Sequence, residues 1–363
     1  MTAWSINEET KQRFDGWWKA EKADRPMLRI LARREEAARA AVRDTSRFLE
    51  TKRDIWLKPE YRFYELENFL TRTRYLAEAF PCADSVLGPG AMAAYLACEP
   101  VFFEDTIWYR ECGETEIGKI RLDDYRTSRW WREHLDSVEK LVALVNGKYP
   151  VAIPDIGTDT DILSAIRGPQ QLCLDLMDSP CEVKRLQGEI AQSFPYFYNA
   201  MYDRVKNPAG ESVFTAFYIW GRGKTGVVQC DFSCLIGEGQ FREFIMPEIR
   251  RHAESIPYAL YHLDGKGAIR HLPEILSVGA LKAVQWEPGA GETDGGDEKW
   301  YPVYDKVMDA GKALWLSFRD GGAEELAARS AKIAKRYGNK GLYFVYPAVM
   351  SGRDAETIMR AFR

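Results

Sequence analysis

The segment Gly226–Gly265, "GVVQCDFSCLIGEGQFREFIMPEIRRHAESIPYALYHLDG", reads as one strand, one helix and a second strand. The runs "GVVQCDF" and "YALYHLDG" are apolar at nearly every position, as expected of strands covered on both faces. Between them Phe241, Phe244, Ile245 and Ile249 recur at helical spacing, while Arg242, Glu248 and Arg251 fall on the opposite side. A helix laid across two such strands joins them as a parallel pair, because a tight hairpin can only join antiparallel ones.

The same alternation continues in both directions. "YPVAIPDI", "SVFTAFYIW", "LKAVQWEPG", "ALWLSF" and "GLYFVYPAV" are further strand candidates, separated by amphipathic stretches such as "AEELAARSAKIAKRYG". With "PMLRILA" and "ADSVLGPG" upstream the count reaches eight or nine, which suits a closed (β/α)8 TIM barrel, one α/β domain spanning residues 1–363. An open dinucleotide-binding sheet is disfavoured, since no strand leads into a G-x-G-x-x-G turn. "GAGETDGG" comes nearest, but Glu292, Asp294 and Asp297 would repel phosphate, so it reads as a loop at the barrel mouth. Residues 1–60, with "REEAARAAVRDTSRFLE" the clearest stretch, are expected to form a helical extension. Residues 100–124 alternate apolar and polar around "CGE" and are expected to form an inserted β-hairpin.

Composition narrows the function. The chain of 363 residues is 46% hydrophobic and 29% charged, with a net charge of −4 and no basic stripe, which argues against nucleic acid as a partner. No apolar run reaches the roughly 18 residues of a membrane span, and the polar start lacks a secretory core, so a cytoplasmic location is expected. Seven cysteines without repeated spacing argue against a disulfide framework; Cys230 and Cys234 lack a second thiolate pair and read as packing residues.

In a barrel of this kind reactive groups sit at the carboxyl ends of the strands. That rule selects Asp84, Asp155 with Asp159 and Asp161, Trp220, Asp231, His262 with Asp264, Gln285 with Glu287, Arg319 and Tyr346. His262 and Asp264 are two apart in a strand and therefore point to one side. With Glu287 they would make a two-oxygen, one-nitrogen set for zinc, iron or manganese. Equally, Asp264 could cap the helix that follows and accept a hydrogen bond from His262, with no metal. Asp231 could likewise cap the helix near Glu238. His271 reads as a surface or packing residue, and His134 and His252 as solvated helix positions. The tryptophan pairs in "DGWW" and "SRWW" read either as stacking platforms or as anchors for the helical cap. Trp286 should point away from Gln285 and Glu287, toward the helices.

The motifs "WWKAEKADRPMLRI", "AFPCADSVLGPG", "DILSAIRGPQQLCLDLMDSP", "VVQCDFSCLIGEGQFREFIMPEI", "YHLDGKGAIRHL" and "VQWEPGAG" together resemble the uroporphyrinogen decarboxylase family, most closely its uncharacterised bacterial branch. The resemblance runs through nearly the whole chain and implies a (β/α)8 barrel of the superfamily that holds both decarboxylases and zinc-dependent, corrinoid- or folate-linked methyltransferases. The methyltransferases carry a zinc-binding H-x-C where this chain has His262-Leu263-Asp264, and a further cysteine on the last strand, where Tyr346 stands. Without those thiolates, methyl transfer to a thiol is disfavoured, and an alcohol, ether, carboxylate or amine substrate suits the harder donors.

The resemblance does not choose between the two activities; the leading expectation is a methyltransferase acting on a small molecule, with a divalent metal and a corrinoid (cobalamin-bearing) protein as expected helpers. His262, Asp264 and Asp231 would act on the substrate, and Glu287, Gln285, Asp155 and Tyr346 would bind it. The alternative is a decarboxylase of a small acid, with Asp84 as proton relay and Arg25 or Arg29 as carboxylate clamp; too few arginines remain for a porphyrinogen. A glycosidase using paired carboxylates and a non-catalytic binding barrel are further readings of the same mouth.

Overall fold

In the computed structural model, residues 4–35 and 42–363 are described. The strands are β1 (Met27–Arg33), β2 (Thr73–Ala77), β3 (Glu99–Phe102), β4 (Ile107–Arg110), β5 (Ser212–Phe214), β6 (Ile219–Gly221), β7 (Thr225–Gln229), β8 (Tyr258–Asp264), β9 (Ala283–Glu287), β10 (Ala313–Ser317) and β11 (Leu342–Met350). Seven of them form the central sheet in the order β2-β1-β11-β10-β9-β8-β7. Every neighbouring pair in it is parallel except β1 with β2. The helices between successive strands place this as a mostly parallel α/β fold, consistent with a (β/α)8 architecture.

Where barrel strands were expected from "ADSVLGPG" and "YPVAIPDI", only single parallel bridges form, Ala83 with Val151 and Ile153 with Phe214. Prolines at 81, 89, 150 and 154 remove backbone donors there and keep the ladder from extending. "SVFTAFYIW" is not one strand but the antiparallel pair β5–β6, turning at Thr215–Tyr218 with Tyr218 at φ 54°. The inserted hairpin is β3–β4, and its turn lies at Phe103–Thr106 rather than at "CGE", which follows the second strand.

Of the expected amino-terminal helices, Glu8–Trp18 forms, capped by Asn7 Oδ1 accepting from the Thr10 amide at 2.8 Å. Residues 36–41 of "REEAARAAVRDTSRFLE" lie outside the described residues; of its described part only Ser46–Phe48 turns, as a short 3-10 helix. The helix Glu8–Trp18 buries Phe14, Trp17 and Trp18, and the Trp18 indole donates to the Trp220 carbonyl at 2.7 Å. Trp130 and Trp131 are also buried. Both tryptophan pairs are thus anchors, and Trp220, once a site candidate, is core.

Because β7, β8 and β9 run parallel, Gln229, His262 and Gln285 lie in one row, and Asp264 stands beside Glu287 one pleat further on. Their carboxyl ends therefore share one edge, and the loops leaving them build the candidate site. Among the described residues no helix is long and apolar enough to cross a membrane.

Candidate functional site

Asp231 lies two residues past the end of β7, His262 lies near the end of β8, and Asp264 closes it. One ligand atom from each of the three lies within 4.8 Å of the others. The imidazole is fixed from behind: His262 Nδ1 donates a short hydrogen bond to Gln285 Oε1, which as an amide oxygen can only accept. Nδ1 therefore carries a proton, and Nε2 faces Asp231 Oδ1 at 4.0 Å. Phe217, from the tip of the β5–β6 turn, packs on the imidazole at 5.2 Å between centroids.

Two more carboxylates stand close by. Asp161, in the first turn of the helix Asp159–Arg167, accepts from the amides of Asp231 and Phe232, each at 3.0 Å. Asp155 accepts from the Gly157 amide at 2.9 Å. Burial, followed by the neighbouring Asp231 charge, pushes the Asp161 carboxyl up to about 7. Burial, followed by Asp264 and Asp155, does the same to Asp231, also to about 7. Asp155 and Asp264 are raised as well, again chiefly by burial. Carboxylates held this far from their ordinary range are a property of acid, base and ligand sites.

The donor set is one imidazole nitrogen and two carboxylate oxygens, with the imidazole held by a second residue. It fits a divalent ion of borderline to hard character, such as zinc, iron or manganese, and lacks the thiolates of a sulfur-rich zinc site. Glu287, expected to complete the metal set, does not join it. Its Oε1 accepts from Arg319 Nη2 at 2.5 Å, so its charge is already paired, and Asp231 takes the third position.

Other expected site residues lie elsewhere. Gln285 is buried behind His262 and orients it. Tyr346 is opposite in parity to the inward Tyr343; its hydroxyl donates to Ser330 Oγ on an outer helix at 2.8 Å. Arg25 precedes β1 and so lies at the amino-terminal end of the sheet, held by Glu78 through two bonds of 2.9 and 2.7 Å. Asp84 is locked in an ion pair with Arg62. Asp159 is bound by His252 and Arg251. Arg29 points inward over the Tyr218 ring at 3.5 Å, and its Nε and Nη1 lack partners among the described residues.

The histidines read as solvated are buried. His134 Nε2 bonds the Ser85 carbonyl at 2.9 Å and Nδ1 meets the Tyr95 hydroxyl, while His252 packs on Phe194. Their helices bury wider faces than the simple polar pattern implied. His271 stacks on Phe241, a packing role. Trp286 meets Trp300 on the helical side.

Against Asp231 opens a groove of about 410 Å³. Its walls include Trp108 and Tyr109 of the inserted hairpin, Ile162 and Phe232, with Asp161 and Asp231 at its polar end. Trp108 and Phe217 escaped the sequence reading because neither adjoins a motif of reactive residues, and "TAFY" carries no turn-forming glycine or asparagine.

The chain is structurally similar to a methyltransferase from Methanosarcina mazei, with a TM-score of 0.62 over 97% of this chain and 98% of that one. The two sequences are 11% identical, so this likeness speaks to the fold. No protein-family model matches the chain, and no curated protein does.

Proposed function

We propose that the protein is a metal-assisted methyltransferase of the uroporphyrinogen decarboxylase-like barrels, acting on a small molecule at the mouth of a closed eight-stranded ring. The observation that carries this reading is the convergence of Asp231, His262 and Asp264 at adjacent parallel strand ends, with Gln285 fixing the imidazole tautomer. The likeness in fold to a methyltransferase supports it.

A divalent ion bound there would polarise the heteroatom that carries or receives the methyl group. The chain's own groups do the rest. The groove orients the substrate against Asp231, and the imidazole presents Nε2 to the same point. A heteroatom that leaves as an anion takes up a proton, which Asp161, in the groove but outside the metal set, supplies, whereas an ammonium nitrogen leaves as the neutral amine and needs none. The methyl acceptor is a corrinoid held by a partner protein at the open mouth. A second reading, decarboxylation of a small acid, is favoured only by Arg29, whose Nε and Nη1 have no hydrogen-bond partner among the described residues, since Asp84 and Arg25 are both engaged.

Metal analysis of protein purified without chelator tests the proposal. About one equivalent of zinc, iron or manganese is expected, lost in His262→Ala; less than about 0.1 equivalent, unchanged by that substitution, removes the metal. Carbon dioxide release without any methyl acceptor would favour the second reading.

A further inference from the structure

The groove beside Asp231 has a one-sided chemistry. Its lining holds three acids, Glu111, Asp161 and Asp231, and among the described residues no lysine, arginine or histidine. Outside its lining Asp155, bonded to the Gly157 amide, adds another carboxylate close enough to feel the Asp161 charge. With a divalent ion at Asp231, His262 and Asp264, Glu111 and the partly protonated Asp155 and Asp161 would still have no lysine or arginine beside them in the groove lining among the described residues. An anionic substrate would enter against that field, and a cation would be drawn into it.

The apolar wall points the same way. Trp108 is 67% exposed, the most exposed large hydrophobic side chain among the described residues. Three other tryptophans carry cations of the chain over their rings, Arg53 and Arg129 at Trp130, Lys11 and Arg222 at Trp220, Lys299 at Trp300, and the rest that lack one are mostly buried in the core, which Trp108 is not. The Trp108 ring has no such cation and no aromatic partner among the described residues. A free indole face next to carboxylates in a concave site is the arrangement that holds alkylammonium groups, whose spread charge is cheaply desolvated and attracted to the ring quadrupole. The volume of about 410 Å³ admits a small molecule and excludes a folded partner.

We propose that this groove binds a small organic cation, a methylated ammonium group on a short apolar body, with its head against the Trp108 ring and the Asp161 and Asp231 carboxylates and its body along Ile162 and Phe232. This deepens the methyl-transfer reading and rests on it for the placing of substrate beside Asp231. The site takes neither carboxylates nor phosphates.

Calorimetric titration of the full chain, after dialysis against a chelator, tests the binding apart from turnover. The probes are choline, its uncharged isostere 3,3-dimethylbutan-1-ol and the anion 3,3-dimethylbutanoate. Choline is expected to bind at least about tenfold more tightly than the alcohol, and the anion not measurably. Trp108→Ala, at an exposed position of the hairpin, is expected to weaken choline at least about threefold, and Asp231→Asn to weaken it further. Equal binding of the alcohol, preference for the anion, absence of choline binding, or full affinity in Trp108→Ala overturns the proposal. Choline binding without any methyl transfer sinks the function and leaves this inference standing. Methyl transfer from an uncharged ether, with no choline binding, does the reverse.

Discussion

Replacing Asp161 by asparagine should change how stability depends on pH. Burial raises this carboxyl from an ordinary 3.8 to about 7. A group whose folded pKa lies above its unfolded one stabilises the fold at low pH, because the folded state holds the proton more tightly. That contribution fades as pH rises from 3.8 through about 7. About three pKa units correspond to a ceiling of roughly 4 kcal/mol, of which more than half is lost between about pH 5 and about pH 8. Asparagine does not titrate, so the variant lacks this loss. Its weaker hydrogen bonds to the amides of Asp231 and Phe232 add an offset that does not vary with pH. The decisive quantity is therefore the stability of Asp161→Asn minus that of the wild type, from urea unfolding in chelator at steps between those two pH values. It should rise with pH by one to a few kcal/mol, by order of magnitude. A difference flat to within about 0.5 kcal/mol, or one that falls with pH, would refute the picture of a carboxylate held at a cost beside Asp231.

His134 should act in the opposite sense. Burial lowers it from 6.5 to about 4, so stability is full above 6.5 and drains away as pH falls, by about 2 kcal/mol at about pH 5. The loss should vanish from the pH profile of His134→Gln, and a profile that stays unchanged would contradict the assignment. Gly157→Ala should destabilise by about 1–3 kcal/mol and weaken zinc binding. The residue sits at φ +86°, and an added Cβ would lie 2.7 Å from both Gly90 Cα and Ile162 Cδ1, displacing the loop between Asp155 and Asp161. Unchanged denaturation midpoint and unchanged zinc affinity would count against that loop as the scaffold of the acids.

What could be read in the sequence was what depends on short range. Period-two alternation in "YALYHLDG" already places His262 and Asp264 on one side, and sends Trp286 to the other side from Gln285 and Glu287. The apolar runs between Gly226 and Gly289 are parallel neighbours because helices must join them, and the register later seen among Gln229, His262 and Gln285 follows from that order. Parity and succession are local properties, carried by spacing.

Tertiary structure alone decided which charges remain free. Glu287 stands beside Asp264 as spacing implied, yet Arg319, thirty-two residues away, claims it. Asp84 and Arg25 looked equally available until Arg62 and Glu78 met them. Whether a carboxylate is a ligand or half of an ion pair depends on which side chain reaches it across the fold. The tip of "TAFY" pressed on His262 and the Trp108 wall beside Asp231 come from segments remote in the chain. No periodicity announces such meetings, because they are fixed by how hairpins fold back over the strand ends and not by the residues next to them.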